Sequence, residues 1–131
     1  MGVAVLMLTL LALEDPPQDV IDFFRSAATA LADAHRDRDA GAFLDHFDKS
    51  MPGYAELSDR IREMTGDGEV NMAVDFVNQK GDDKKRTLEL DWLLQCEGQH
   101  PKRAVLQCTM EKNGKKWKIT SLAPLDFFKR E

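Results

Sequence analysis

The side chains of this sequence that could perform acid–base chemistry form no recognisable catalytic grouping. His46 could exchange a proton near neutral pH, and Asp45 precedes it in the chain. Adjacent residues on a helix point about 100° apart, so adjacency alone does not make them a catalytic pair. A lone histidine on a short helix is more often exposed or a satisfied boundary residue. These residues therefore carry no catalytic signature, and we predict no catalytic residue.

The chain has two cysteines and three histidines. The spacing of Cys96 and Cys108 fits no common zinc pattern, and His35, His46 and His100 are not grouped with them. We predict no metal site and no cofactor. Strand alternation places both cysteines on the inner face of a sheet, where they act as small buried hydrophobic residues without a disulfide between them.

Length and composition indicate one globular domain. The 131 residues are 43% hydrophobic and 31% charged, which is ordinary for a chain that buries a single core. The net charge is −5, and the two signs are interspersed. Binding to nucleic acid needs a concentrated basic surface. We therefore expect no nucleic-acid partner.

The N-terminal segment, residues 3–13, is apolar apart from Thr9. A membrane-spanning helix needs roughly 20 residues, so we predict no stable membrane span. The length suits the hydrophobic region of a signal peptide, although no lysine or arginine precedes it. A retained helix that packs on a partner and an ordinary N-terminal helix remain alternatives. We favour export to the periplasm over a cytoplasmic location, and divide the chain into residues 1–15 and a domain at 16–131.

Helical periodicity follows in three segments. Apolar residues recur at spacings of three and four over residues 20–34, after Asp15, which can cap the helix ahead of two prolines. Asp39 can cap a second, short helix at residues 40–49. The third helix carries its apolar stripe over residues 54–64 and ends at glycines.

The period changes to two from Val70 onward, which predicts strands. Turn sequences divide the strands at residues 81–83, around residues 98–101, and at Asn113-Gly114, a type I′ hairpin pair. We predict an α+β fold in which three N-terminal helices pack on the apolar face of a curved antiparallel sheet of four strands or more.

The turns fix the register of the strands. Placing Phe76 opposite Leu90 brings apolar residues together along the first hairpin. The same register places Asp75 opposite Asp91 on the outer face, where like charges are unfavourable unless they are exposed or neutralised. We interpret this pair as part of a solvated face of mixed charge.

The last hairpin gives a second register. Centring its turn on Asn113-Gly114 places Met110 opposite Trp117 and Cys108 opposite Ile119. Apolar residues then meet apolar residues, as one buried face requires.

This order of elements resembles the NTF2-like superfamily, whose cone-shaped fold is also called cystatin-like or SnoaL-like. The resemblance covers residues 16–128. It rests on the long helix at residues 19–34, the short helix at 40–49 followed by Tyr54, and the closing strand at 117–120. These are features of layout rather than a fingerprint of activity.

The resemblance implies a pocket between the helices and the concave face of the sheet. The superfamily includes isomerases, hydrolases, cyclases and dehydratases as well as non-catalytic binding and transport modules, so fold alone does not select a function. The candidate pocket-lining residues are Tyr54, His46, Phe24, Trp92, Met72, Met110, Cys108 and Trp117.

A ketosteroid-isomerase-like mechanism needs a carboxylate base inside the cone, and the inward strand positions supply none. We therefore predict a non-catalytic module that binds a small molecule or a protein through an apolar pocket. One alternative is an isomerase-like or dehydratase-like enzyme that uses Tyr54, His46 or an acid from the helices. Another is a structural domain with a solidly packed cone.

Related folds often pair through the outer face of the sheet. On that face we predict a set of apolar residues among polar ones, namely Ala73, Val77, Leu93, Val105 and Leu122. We expect a homodimer through this face, with the N-terminal apolar segment as an alternative contact.

Overall fold

The computed structural model of the protein describes residues 15–129. The predictions made for residues 3–13 lie outside these described residues. Among the residues that are described, no helix has both the length and the apolar character that a membrane crossing requires.

Helices come first in the chain and strands follow, as the sequence predicts. The helices are α1 (Gln18–Asp37), α2 (Gly41–Leu44) and α3 (Tyr54–Asp67). The strands are β1 (Val70–Gly81), β2 (Lys85–Cys96), β3 (Lys102–Asn113) and β4 (Lys116–Ala123), and a 3-10 helix spans Leu125–Phe128. The strands form one antiparallel sheet in the order β1-β2-β3-β4. The predicted α+β fold is confirmed.

α1 is the long helix that the apolar stripe predicts, and its buried face carries Val20, Phe24, Ala27, Leu31 and Ala34. The predicted cap at Asp15 is wrong. Pro17 occupies the N-cap position with no side-chain capping bond, and its carbonyl accepts the N–H groups of Val20 and Ile21 at 3.1 Å each. The helix therefore begins directly after Pro17. The fixed backbone angle of proline is compatible with the start of a helix.

α2 is shorter than predicted, because the chain leaves the helix to bond with β4. Asp39 does accept a bond from the N–H of Ala42 at 3.2 Å, as a capping residue would. The helix then ends at Leu44. The N–H of Ile119 donates to the carbonyl of His46 at 2.9 Å, and the following turn forms a parallel bridge to the same strand. Pairing with β4 replaces the predicted helix beyond residue 44.

The register of the first hairpin is confirmed. Phe76 pairs with Leu90, and Asp75 pairs with Asp91 on the outer face. Arg103 neutralises this acidic pair with a two-pronged contact to Asp91, at 2.9 Å from Nε and 2.6 Å from Nη2. The hydrogen bonds from Arg103 lower the pKa of Asp91.

The predicted register of the last hairpin is wrong. Asn113 pairs with Lys116, so the turn is centred one residue later, on Gly114 with a φ of 68° and Lys115. Met110 therefore pairs with Ile119 rather than with Trp117. A positive φ at glycine costs little, and this allows the later turn.

A bulge in β4 then reverses the parity of the strand. Thr109 pairs with Ser121 while Met110 pairs with Ile119, which leaves Thr120 as the extra residue. Cys108 consequently pairs with Leu122, and Leu122 is only 4% exposed. The prediction that Leu122 lies on the outer face is wrong for this reason.

Candidate functional site

The interior of the cone, between the helices and the inner face of the sheet, is apolar. Among residues 15–129 the buried polar or charged side chain is Thr65, and its hydroxyl donates to the carbonyl of Ile61 at 2.8 Å. Trp92 packs edge-to-face on Phe128 with ring centroids 5.5 Å apart. The described interior thus offers no buried carboxylate or histidine for acid–base chemistry.

Cys108 is the buried thiol of the cone, at 2% exposure. Burial raises its pKa to about 12, because an apolar surrounding disfavours the thiolate. The thiolate is the nucleophilic form of cysteine. Cys108 therefore acts as a packing residue at neutral pH.

Trp92 has an indole nitrogen that is buried without a hydrogen-bond partner among the described residues. Leaving a buried donor unpaired costs about 1–3 kcal/mol. The packing of the cone around Trp92 offsets that cost.

A pocket of about 140 Å³ lies where the end of α3 meets the loop between β2 and β3; we call it the Cys96 pocket. Its apolar wall is formed by Met64, Leu94 and Cys96. The thiol of Cys96 donates to the Met64 sulfur at 3.7 Å. Its remaining lining comprises Asp67, Gly68, Glu97, Gln99, His100, Lys102 and Lys129.

The β2–β3 loop is held over this pocket by bonds to the α3–β1 connection. The N–H of Glu97 donates to the carbonyl of Glu69 at 3.0 Å, and the Glu97 carboxylate accepts from the N–H of Glu69 at 3.0 Å. A side chain at Gly68 would meet that carboxylate at 3.1 Å. Lys102 closes the opposite side with a bond to the carbonyl of Lys129. These hydrogen bonds hold the segments that line the pocket in place.

Solved structures share this architecture at low sequence identity. Bd1075 of Bdellovibrio bacteriovorus matches with a TM-score of 0.66 and 14% identity, over 80% of this chain and 38% of that one. An NTF-2 like protein of unknown function from Shewanella oneidensis matches with a TM-score of 0.59 and 15% identity, over 79% of this chain and 93% of that one. This chain has the NTF2-like fold.

Another structure with the NTF2-like fold extends the comparison. A Nostoc punctiforme protein of unknown function with a cystatin-like fold matches with a TM-score of 0.56 and 13% identity, over 79% of this chain and 85% of that one. This chain spans little more than a third of the length of Bd1075. No protein-family model matches the sequence. No curated protein matches it either.

The predicted pocket residues are distributed over several parts of the NTF2-like cone. Trp92 and Met110 are fully buried in the core. Phe24 and Met72 line a groove between α1 and β1, and Cys108 borders a shallow surface between β1 and β3. Tyr54 is half-buried against the core at the start of α3.

His46 and Trp117 line a different groove, of about 440 Å³, between α1 and the start of β4. We call it the Ser26 groove. Nε2 of His46 lies 3.1 Å from Oγ of Ser26, and Nδ1 lies 3.1 Å from the carbonyl oxygens of Ala42 and Phe43. Lys115, Lys116 and Lys118 line the groove as well, together with Asp19, Asp22, Phe23 and Asp45.

Sequence reasoning missed both the Cys96 pocket and Ser26. The pocket is built from a helix end, a loop and the chain terminus, and no periodicity marks where such segments meet. Ser26 lies on the exposed side of α1, and its contact with His46 joins residues 20 positions apart. The one feature of the sequence that pointed to the Cys96 pocket was Cys96 itself, which strand alternation places on the inner face of the sheet.

Proposed function

We propose that this domain is a binding module whose ligand inserts an aromatic ring into the Cys96 pocket. The observation that carries the proposal is the wall of two sulfur atoms and Leu94 around a space of ring size. Sulfur–aromatic contacts are favourable by about 0.3–1.5 kcal/mol. A cavity of about 150 Å³ is known to bind benzene, and this pocket measures about 140 Å³.

Two of the charged groups around the pocket hold the backbone in place. The carboxylate of Glu97 is engaged with the backbone of Glu69, and the ammonium of Lys102 with the backbone of Lys129. An apolar wall with a few polar groups at the rim is typical of a small-molecule site. Pockets for drug-sized ligands measure about 300–1,000 Å³, so the Cys96 pocket holds one ring of a ligand rather than a whole large molecule.

Phenol is a suitable probe, because it combines one ring with one polar group. We expect it to shift the ¹³C-methyl NMR signal of Met64 with a Kd of about 1 mM, since seven heavy atoms support only weak binding. Replacement Cys96→Leu should abolish this shift by filling the pocket.

Cys96→Ser is the matched control, because serine keeps the volume of the pocket open. Because the variant also removes one of the two sulfur atoms of the wall, we expect it to bind phenol a few-fold more weakly than the native protein, and not to lose binding. Equal binding by native protein and Cys96→Leu would refute the proposal, as would signal changes that map to the core around Trp92 instead.

The homodimer remains a proposal of the same kind. Val77 and Val105 are 55% and 48% exposed on the sheet, which supports a contact through its outer face. Sedimentation equilibrium of the native protein and of Val105→Glu tests it. A native dimer that the charge dissociates supports the contact, and a native monomer rejects it.

A further inference from the structure

The hydrogen bonds around His46 fix which nitrogen of its ring carries the proton. Nδ1 lies 3.1 Å from the carbonyl oxygens of Ala42 and of Phe43, and carbonyl oxygens only accept. Nδ1 is therefore the donor. In the neutral ring Nε2 is then the acceptor, and the hydroxyl of Ser26 donates to it across 3.1 Å.

Several contacts hold the two side chains in this relation. The ring of His46 packs edge-to-face on Phe23, with centroids 5.1 Å apart. The backbone of His46 is bonded to Ile119 of β4. Ser26 lies one helical turn after Phe23 on α1, so it projects from the same side of the helix. Ser26 thus stands on a long helix, and His46 stands on a turn whose backbone is bonded to β4.

We propose that Ser26 and His46 form a catalytic dyad that transfers acyl groups from small carboxylic esters to water. A nucleophile within hydrogen-bond reach of a base, with the base oriented by a further group, is the arrangement that activates serine. The proposal goes beyond the binding function, because the Ser26 groove and the Cys96 pocket share no lining residue.

The groove around the dyad suits a small ester. Its volume of about 440 Å³ lies within the usual range for small-molecule sites. Phe23 and Trp117 offer apolar surface for an acyl or aryl group. Lys115 and Lys116 are exposed at the same groove, and ammonium groups stabilise the negative oxygen that develops on an attacked carbonyl.

Two of the three acids that line the groove are engaged with donors. Asp19 accepts from Trp117 and Lys112, and Asp22 accepts from Gln18 at 2.9 Å. The ion pair with Lys112 offsets the charge of Asp19, and the groove presents carboxylates as well as ammonium groups.

The reaction balances with water as the second substrate. Oγ of Ser26 bonds to the carbonyl carbon while its proton moves to Nε2 of His46. The bond from that carbon to the leaving oxygen breaks, and Nε2 returns the proton to give the alcohol. Water then attacks the acyl-serine, with its proton taken by Nε2 and passed to Oγ of Ser26 as the carboxylic acid leaves.

Hydrolysis of 4-nitrophenyl acetate, combined with fluorophosphonate labelling and peptide mass spectrometry, tests the dyad in the full chain. We expect one label per chain, on Ser26. Ser26→Ala should lose the label and at least about tenfold of the hydrolysis rate. Alanine favours a helix, so this exposed substitution leaves the fold intact.

His46→Asn separates catalysis from structure, because the asparagine amide can replace Nδ1 as a donor while Nε2 is lost. We expect it to lose at least about tenfold of the rate as well. Ser58→Ala, on helix α3, is the matched control and should keep the native rate. Native hydrolysis by Ser26→Ala, or an acetyl group trapped on Lys115 or Lys116 instead of Ser26, would overturn the proposal.

Discussion

The indole N–H of Trp117 donates to the carboxylate of Asp19 at 2.9 Å. This bond joins β4 to the first turn of α1, across 98 positions of sequence. Lys112 adds an ion pair to the same carboxylate oxygen at 3.3 Å, and its ammonium lies 5.2 Å from the centre of the Trp117 ring. The three side chains tie the first helix to the last hairpin.

This arrangement predicts a pH-dependent part of the stability. The bond from Trp117, followed by Lys112, lowers the pKa of Asp19 below its usual value of 3.8. A lowered pKa in the folded state stabilises the fold above the usual value, and the contribution is lost as pH falls through the folded-state pKa. Asp19→Asn should therefore cost stability near neutral pH and less at about pH 2.5.

Urea unfolding at both pH values measures this difference. The carboxylate of Asp19 is half-exposed, so solvent screening keeps the effect small. Trp117→Phe is the companion variant, because it keeps an aromatic ring and removes the donor. It should weaken the pH dependence that Asp19 contributes. An equal cost of Asp19→Asn at both pH values would contradict this account.

The bulge at Thr120 makes a second prediction, about the two faces of the sheet. Leu122→Ala should lower the free energy of unfolding by about 2–5 kcal/mol, as expected for truncation of a buried leucine. Val105→Ala, on the exposed face, should change it by no more than about 0.5 kcal/mol. Chemical unfolding of both variants checks the order. Similar costs for the two would mean that the strand runs past Ser121 without the parity change.

Two glycines give a matched pair for the backbone. Gly53 has a φ of 79°, and an added Cβ would clash with Cδ1 of Leu125. Gly53→Ala should therefore destabilise the protein by more than about 1 kcal/mol. Gly66 lies within α3 with open space around it, so Gly66→Ala should stabilise by about 0.5–1 kcal/mol. Thermal unfolding of the two variants measures whether each substitution raises or lowers the stability. Destabilisation by Gly66→Ala would mean that residue 66 is not helical.

The sequence predicts the elements that depend on periodicity, and it does not predict those that depend on local exceptions. Alternation and turn residues suffice for pairing Phe76 with Leu90. They fail at the last hairpin, because an extra residue at Thr120 and a turn centred one position later both shift the register. Alternation does not show where a bulge lies. One extra residue moves every later residue of the strand to the opposite face of the sheet.

The candidate sites were less predictable than the fold. The lack of charged side chains in the described part of the interior follows from the apolar inward positions of the strands. The Cys96 pocket depends on how the β2–β3 loop folds back on the α3–β1 connection, which is a matter of specific bonds between Glu69 and Glu97. The contact between His46 and Ser26 could not be predicted from the sequence either. Ser26 lies on the polar side of its helix, where the residues show no periodic pattern.

A crystal structure of the protein soaked with phenol tests the central claim most directly. We expect ring density in the Cys96 pocket, in contact with the sulfur atoms of Met64 and Cys96 and with Leu94. Density inside the cone beside the indole nitrogen of Trp92, or an empty Cys96 pocket at saturating phenol, would contradict it.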